Sequence, residues 1–109
     1  MDMDAALKAL AEPRRRDILR LVWTEELPAS RIAAEFGDVS RPAVSQHLGV
    51  LRAAGLVVER RVGTRRLYRA DQAQMDRLRA FLDGFWTEGL HRLQHLAEAA
   101  ERAKGDSDG

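Results

Sequence analysis

The sequence predicts a mainly α-helical domain with a small β-hairpin and a long C-terminal helix that serves dimerisation. Three observations lead to this prediction. Apolar residues recur at spacings of three and four along most of the chain, two β-type runs flank a glycine turn at residue 63, and a helical apolar pattern continues from about residue 72 to residue 104. With 109 residues we expect a single domain over residues 1–104 and a flexible tail at residues 105–109.

The composition excludes several classes of protein. Hydrophobic residues are 45% and charged residues 32% of the chain, as in an ordinary globular domain. No apolar run approaches the roughly 20 residues that span a membrane, and the N-terminus has no secretory signal pattern, so we expect a cytoplasmic protein with no membrane partner. Cysteine is absent, which excludes disulfides, thiolate metal sites and thiol redox sensing.

Positive charge is concentrated in the middle of the chain. Residues 40–69 contain seven arginines and one glutamate, a net charge of +6, whereas residues 1–39 have a net charge of −2 and residues 70–109 a net charge of −3. Such asymmetry favours a polyanion that docks on one face. A solvated arginine-rich hairpin would give the same charge pattern, so charge alone leaves both interpretations open.

Three helices are predicted in the first third of the chain, over residues 4–11, 13–24 and 29–36. Leu7 and Leu10 share one side of the first helix. Pro13 suits the first turn of the second helix, which places three apolar residues on one stripe. These residues are Ile18, Leu21 and Val22.

A fourth helix over residues 40–54 has the clearest pattern. Ser40 is a favourable N-cap residue, and Val44, Leu48 and Leu51 recur at i, i+4 and i+7, so they face the core. The residues that point away from the core are Arg41, Ser45 and Gln46, with His47 and Arg52 near the margins of this outward face.

A basic hairpin is predicted over residues 57–69, with its turn at Gly63-Thr64. Its arms alternate apolar and basic residues, so we expect one face to pack and the other to carry arginine. Arg65 and Arg66 lie together at the predicted tip.

The last helix, over residues 72–104, would be about 50 Å long, which is more than a domain of this size can cover. Its apolar stripe therefore needs a partner, and a second copy of the chain is the simplest one. The predicted dimer-interface residues are Leu7, Leu10, Leu78, Phe81, Leu82, Phe85, Trp86, Leu90 and Leu93. Phe81, Phe85 and Trp86 would also suit a pocket for an apolar effector, but a dimer core is the favoured interpretation.

A polar-faced helix that follows a short helix and precedes a basic hairpin suits the major groove of DNA. Arg41 would bind a guanine and Gln46 an adenine, while Ser40, Ser45 and His47 would hold phosphates. The predicted DNA-binding residues are Ser40, Arg41, Ser45, Gln46, His47, Arg52, Arg61, Arg65 and Arg66.

Structural alternatives remain for several of these residues. Ser40 would act as a cap in any case, Arg41 would also suit a surface position at the start of a helix, and His47 would also suit partial burial in the core. At the base of the hairpin, Arg60 and Arg61 would form internal salt bridges as readily as phosphate contacts.

Three segments of the sequence resemble a known family: ALKALAEPRRRDILRLV, SRPAVSQHLGVLRAAGLV and RRVGTRRLYR. In this order they are similar to the ArsR-type winged helix-turn-helix repressors, and the resemblance covers about residues 5–96. It implies a homodimer in which the first and last helices pair, with residues 40–54 in successive major grooves about 34 Å apart. It also implies repression of transcription at a double-stranded DNA operator.

The metal sites of the family are incomplete in this sequence. Metal-sensing members carry paired cysteines in the third helix, where this chain has Ala29-Ser30-Arg31-Ile32-Ala33. Of another four-ligand zinc set in the last helix only His95 and Glu98 match, because Leu82 and Gly84 occupy the other two positions. We therefore predict no metal and no other cofactor.

Two other functions stay open beside a metal-independent repressor. His91 and His95 lie one helical turn apart, so a metal-responsive repressor is the first alternative. A winged-helix module that binds an acidic protein is the second. An enzyme is not expected, because no nucleophile and base are paired and Ser45 and His47 project about 160° apart on the helix. The inducing signal and any small-molecule effector are not indicated by the sequence.

Overall fold

The structure, a computed structural model, describes the backbone of residues 1–108 and the side chains of residues 1–105, which form five helices and three short strands. Two units make up the chain, residues 1–76 and residues 77–109. The elements in chain order are α1 (Met3–Leu10), α2 (Pro13–Leu21), β1 (Leu27–Pro28), α3 (Ala29–Ala34), α4 (Arg41–Ala53), β2 (Val57–Val62), β3 (Arg65–Ala70) and α5 (Gln72–Asp108).

Side chains close both ends of α1. The Asp2 carboxylate accepts the backbone N–H of Asp4 at 3.0 Å and so caps the N-terminus. At the other end, the Arg15 Nε–H donates to the Ala9 carbonyl at 2.7 Å and the Arg16 guanidinium donates to the Leu10 carbonyl at 2.6 Å. These two arginines of α2 satisfy carbonyl groups that the end of a helix leaves unpaired.

The core of residues 1–76 is built from aliphatic side chains of α2, α3, α4 and the start of β2. In α2 the buried residues are Ile18 and Leu19, and Val22 at the C-cap is also buried. Leu21, which the sequence predicted on this stripe in place of Leu19, is only half-buried. The largest fully buried side chains are Ile18, Val22, Ile32, Val44, Leu48, Leu51 and Leu56.

Helix α2 ends at Leu21, three residues before the predicted end. The reason is tertiary: the Val22 carbonyl accepts the N–H of Ala70 at 2.9 Å, and the Trp23 carbonyl accepts the Gln72 side chain. The chain then enters β1, a two-residue strand that the sequence did not predict. Helix α3 likewise ends at Ala34, two residues before the predicted end.

The sheet has three antiparallel strands in the order β1-β3-β2. Leu27 lies opposite Tyr68 in the β1–β3 pair. In the β2–β3 hairpin, Val57 lies opposite Ala70 and Val62 opposite Arg65, which leaves a two-residue turn. Gly63 begins this turn with a φ of 61°, the left-handed conformation that glycine adopts without strain. The predicted hairpin is therefore present, and β1 extends it by one short strand.

Helix α5 is continuous from Gln72 to Asp108, which corrects the predicted end at residue 104. The predicted flexibility of residues 105–109 concerns residues that lie largely outside those whose side chains are described. Among the predicted interface residues of α5, Leu78 is buried within the single chain. The others from Phe81 to Leu93 are exposed. Within residues 1–108, none of the helices combines the length and the hydropathy that a membrane span requires.

Candidate nucleic-acid interface

Helix α4 has one buried face and one polar face, as predicted. Ser40 is the N-cap, and its hydroxyl accepts the N–H of Ala43 at 3.2 Å. Val44, Leu48 and Leu51 are buried with at most 1% of their surface exposed. Since these three residues lie on one side of the helix, they fix which side chains face outward.

The outward face of α4 is open to solvent at the residues predicted to read bases. Arg41, Ser45 and Gln46 are exposed, and His47 is half-buried at the margin of the face. Within residues 1–105, neither Arg41 nor Gln46 forms an ion pair or side-chain hydrogen bond with another residue. Their donors and acceptors are therefore available to an external partner.

Gly55 ends α4 and turns the chain into β2. Its φ is 82°, the Gly55 N–H donates to the Arg52 carbonyl at 3.0 Å, and the Leu56 N–H donates to the Leu51 carbonyl at 2.9 Å. This pair of bonds is the Schellman motif, in which a left-handed glycine satisfies the last carbonyls of a helix. A single turn at Gly55 therefore connects α4 to the hairpin.

The hairpin carries arginine on both faces, which corrects the prediction of one packed face and one basic face. Side chains alternate between faces along a strand, and paired residues share a face. With Arg61 opposite Arg66, these two arginines lie on the face of Glu59 and Tyr68. Arg65 lies on the other face with Val62. Only the base of the hairpin packs on the core, because β2 is buried at Val57 and exposed from Arg60 onward. Arg65 and Arg66, predicted as one tip cluster, therefore point to opposite faces.

Glu59 joins two of the predicted DNA-binding arginines. The Arg52 guanidinium at the end of α4 donates to Glu59 Oε2 at 3.1 Å, and Arg66 Nε of the hairpin lies 3.7 Å from Glu59 Oε1. The Tyr68 hydroxyl also donates to Glu59 Oε2, at 3.2 Å. Burial is the main cause that raises the pKa of Tyr68, and the Glu59 charge raises it further, so the phenol stays protonated as a donor. Sequence reasoning missed Glu59 and Tyr68, although Glu59 is the one acidic residue within the basic segment 40–69.

A second ion pair fixes the other face of the hairpin. The Arg60 guanidinium donates hydrogen bonds from two of its nitrogens to the carboxylate of Glu26, the residue before β1. The Arg60 hydrogen bond lowers the pKa of Glu26, and the same bond raises the pKa of Arg60. Of the two open alternatives for Arg60, the structure shows the internal salt bridge. Arg61 is exposed and has no ion pair within residues 1–105.

The turn between α3 and α4 is held by α2. Arg14 pairs with Asp38, and its guanidinium lies over the Phe36 ring, 5.0 Å from the centroid. A cation over an aromatic face is an attractive contact. It steadies the segment that leads into Ser40, and no local pattern in the sequence indicates it.

The metal alternative concerns the histidines of α5. Among the described residues, no group of three histidine, aspartate or glutamate side chains is placed to hold a metal ion. His91 and His95 are exposed on α5.

Comparisons with known sequences agree with this geometry. A family model described as a helix-turn-helix domain matches residues 10–60, from the end of α1 to the middle of β2. The HTH-type transcriptional regulator Rv2034 of Mycobacterium tuberculosis is 46% identical over 96 residues, which cover 88% of this chain and 89% of the relative. The transcriptional repressor SdpR of Bacillus subtilis is 36% identical over 61 residues, which cover 56% of this chain and 67% of SdpR.

Solved structures have the same architecture. An ArsR-like transcriptional regulator from Rhodococcus sp. RHA1 superposes with a TM-score of 0.80 at 31% identity, covering 90% of this chain and 92% of that one. A homodimeric winged helix-turn-helix DNA-binding domain from Mycobacterium bovis, a possible ArsR-family regulator, has a TM-score of 0.63 at 35% identity and covers 78% of each chain.

A capped helix with a polar outer face, followed by a basic hairpin, defines a winged helix-turn-helix DNA-binding protein, and the β2–β3 hairpin is its wing. Rv2034 and the Rhodococcus regulator match most of the length of this chain, and both are named transcriptional regulators. The chain belongs to the ArsR-type winged helix-turn-helix transcriptional regulators.

Proposed function

We propose that the protein is a homodimeric repressor that binds a near-palindromic DNA operator with one α4 helix in each of two successive major grooves. The observation that carries this proposal is the two-sided character of α4. Its inner side is fixed by Val44, Leu48 and Leu51, whereas Arg41 and Gln46 face solvent without partners in the described chain. A helix held in this way presents the same polar atoms at every encounter, as base recognition requires.

The polar residues of α4 divide into two roles. Arg41 and Gln46 have the side chains that form paired hydrogen bonds with guanine and adenine. Ser40, Ser45 and His47 lie beside them and suit phosphate oxygens, which set the register of the helix on DNA. The Ser40 hydroxyl already accepts the Ala43 N–H, and its own O–H remains free to donate to a phosphate.

The wing supplies charge to the flanking DNA. Arg61, Arg65 and Arg66 are exposed near its tip. Contacts of guanidinium groups with phosphates release counterions, so operator affinity falls steeply as salt rises.

A second copy of the chain is the proposed partner of α5. The helix exposes large apolar residues from Phe81 to Leu96, and a surface of this kind marks an interaction site. The Mycobacterium bovis neighbour is described as a homodimer, and SdpR is named a repressor, which supports both parts of the proposal. We place the dimer in the cytoplasm, with residues 1–104 acting as one domain.

In vitro selection of bound duplexes tests the recognition mode. We expect selected sites with two-fold symmetry and half-sites about 10 base pairs apart. Sites without symmetry would contradict a dimer that reads two grooves.

Alanine variants then test the assigned face of α4. On the selected duplex, Arg41→Ala and Gln46→Ala should each cost about 1–3 kcal/mol of binding free energy, as measured by fluorescence anisotropy. Arg20→Ala is the matched control, because Arg20 is an exposed arginine of α2, outside the α4 face, that pairs with Asp17. Unchanged affinity in both α4 variants would overturn the assignment of this face.

A further inference from the structure

We propose that Glu59 is a positioning residue for DNA binding: its carboxylate holds Arg52 of α4 and Arg66 of the wing as one clamp for the DNA backbone. The inference rests on the proposed function, since it adds to DNA binding a residue that does not itself touch DNA. An acidic side chain inside a DNA-binding surface needs a reason, because its charge repels phosphates.

The geometry of Glu59 indicates that it bridges two elements. Its two carboxylate oxygens have different partners, with Arg52 and Tyr68 on Oε2 and Arg66 on Oε1. Arg52 belongs to the last turn of α4, whereas Arg66 belongs to β3. One carboxylate thus spans the connection between the recognition helix and the wing.

Glu59 is much less exposed than the two arginines that it holds, as a clamp requires. The Glu59 side chain is only 16% exposed, while those of Arg52 and Arg66 are 56% and 54% exposed. Each guanidinium has five N–H donors; Arg52 Nη1 donates to Glu59, and Arg66 Nε is its nitrogen nearest to Glu59, while Arg66 also interacts with the Tyr68 hydroxyl. Because more than half of each arginine side chain is exposed, N–H donors that do not face Glu59 or Tyr68 can bind phosphate oxygens while the arginines stay at Glu59.

Tyr68 keeps the carboxylate in place. It is 7% exposed, lies directly opposite Glu59 in the hairpin and donates its hydroxyl hydrogen to Glu59. The buried Tyr68 hydroxyl fixes the rotamer of Glu59, and Glu59 in turn restricts the two arginine side chains. Because these side chains are already ordered, they lose less conformational entropy when they bind DNA.

Simple electrostatics and positioning predict opposite results for Glu59→Gln. If Glu59 contributes only charge, its neutralisation should tighten binding to every duplex. If Glu59 positions the arginines, affinity for the selected operator should fall by about tenfold, while binding to unrelated duplexes stays equal or tightens. The ratio of operator affinity to non-specific affinity is therefore the measurement, and a loss of fold stability alone would not lower it for the folded protein.

Glu26→Gln is the matched control. It removes the same charge from a glutamate that also pairs with a hairpin arginine, but Glu26 lies outside the connection between α4 and the wing. We expect the specificity ratio of this variant to stay within about twofold of the wild-type ratio. Equal ratios for Glu59→Gln, Glu26→Gln and the wild type would overturn the inference.

A variant cycle tests whether Glu59 acts through the two arginines. In an Arg52→Ala Arg66→Ala background, Glu59→Gln should cause no further loss of specificity, because the groups it positions are absent. The same further loss in both backgrounds would contradict positioning. Glu59→Asp provides a second test if the glutamine variant folds poorly: it keeps the charge, shortens the bridge and should still lower the ratio.

The outcomes separate this inference from the proposed function. Failure of the wild type to select any duplex would overturn both. Loss of binding in Arg41→Ala together with an unchanged ratio in Glu59→Gln would overturn the role of Glu59 alone.

Discussion

Residues 1–76 and the part of α5 beyond them differ in how far their large apolar side chains are buried. In the first unit, core residues such as Ile18, Leu48 and Leu51 are at most 1% exposed. In the second, Phe85 is 71% exposed and Trp86 is 69% exposed. Burying a large apolar side chain contributes roughly 1.5–3 kcal/mol, so residues 1–76 have their stabilisation within one chain, whereas α5 leaves most of its own unrealised.

The difference separates two kinds of stability. A core closed within one chain gives a free energy of unfolding that does not depend on protein concentration. An apolar stripe that needs a second copy gives stability that rises with concentration. Variants in the two regions should therefore differ in the measurement that detects them as well as in size.

The largest expected effect is in the closed core. Leu51→Ala removes a fully buried side chain and should lower the free energy of unfolding by about 3 kcal/mol, as measured by urea denaturation at several protein concentrations. The neighbouring Val50 is 37% exposed, and Val50→Ala should change stability by less than about 0.5 kcal/mol. Equal costs for both variants would mean that α4 does not have the buried face described above.

The next effect tests the open helix. Trp86→Ala should weaken dimerisation by about 2 kcal/mol, detected by sedimentation equilibrium as a higher dissociation constant of the dimer. Thr87→Ala, on the polar side of α5, should leave the association unchanged. If Trp86→Ala leaves the dimer intact, the exposed stripe serves another partner, and the contrast between the two regions would need a different explanation.

A smaller effect is expected at the start of α4. Ser40→Ala removes the oxygen that accepts the Ala43 N–H and should cost about 1 kcal/mol of stability, seen as a lower Tm. Ser40→Asp keeps an acceptor at the cap and should recover most of this loss. A Tm that falls equally in both variants would show that the cap bond contributes nothing.

The smallest effect is a pH dependence within residues 1–76. Arg60 lowers the pKa of Glu26 in the folded protein, so this pair stabilises the fold above the ordinary glutamate pKa and ceases to do so as pH falls through the lowered value. Glu26→Gln should therefore lower Tm slightly at about pH 7, and the difference should shrink as the pH falls below the ordinary glutamate pKa and vanish below the lowered one. The pair is exposed, so salt should reduce the difference. A Tm difference that persists at the lower pH would exclude the ion pair as its cause.

Local patterns predicted α4 and the hairpin well because their signals lie within a few residues. Ser40, the spacing of Val44, Leu48 and Leu51, and the turn at Gly63 all act on neighbours in the sequence. The exposed stripe of α5 was equally predictable, since its length exceeded what one small domain can cover. The predicted DNA contacts themselves stay predictions.

Features that depend on distant pairing could not be predicted. A strand of two residues such as β1 exists only because β3 lies beside it. Helix α2 ends early because Ala70 and Gln72 bond to the carbonyls of Val22 and Trp23, which follow it. Glu59 joins Arg52 and Arg66 only after the hairpin has formed. The faces of Arg65 and Arg66 follow from strand register, which the alternation of charge and apolar residues did not resolve.

The two-faced wing has a consequence for the kinetics of operator search. A rigid hairpin lays one face against DNA at a time, so Arg61 and Arg66 on one face and Arg65 and Arg69 on the other cannot all sit on the same phosphates. The arginines on the face turned away from the DNA still attract it from a distance of about a Debye length. They should accelerate association and sliding along non-specific DNA. The arginines on the face that contacts DNA should instead determine the dissociation rate of the complex.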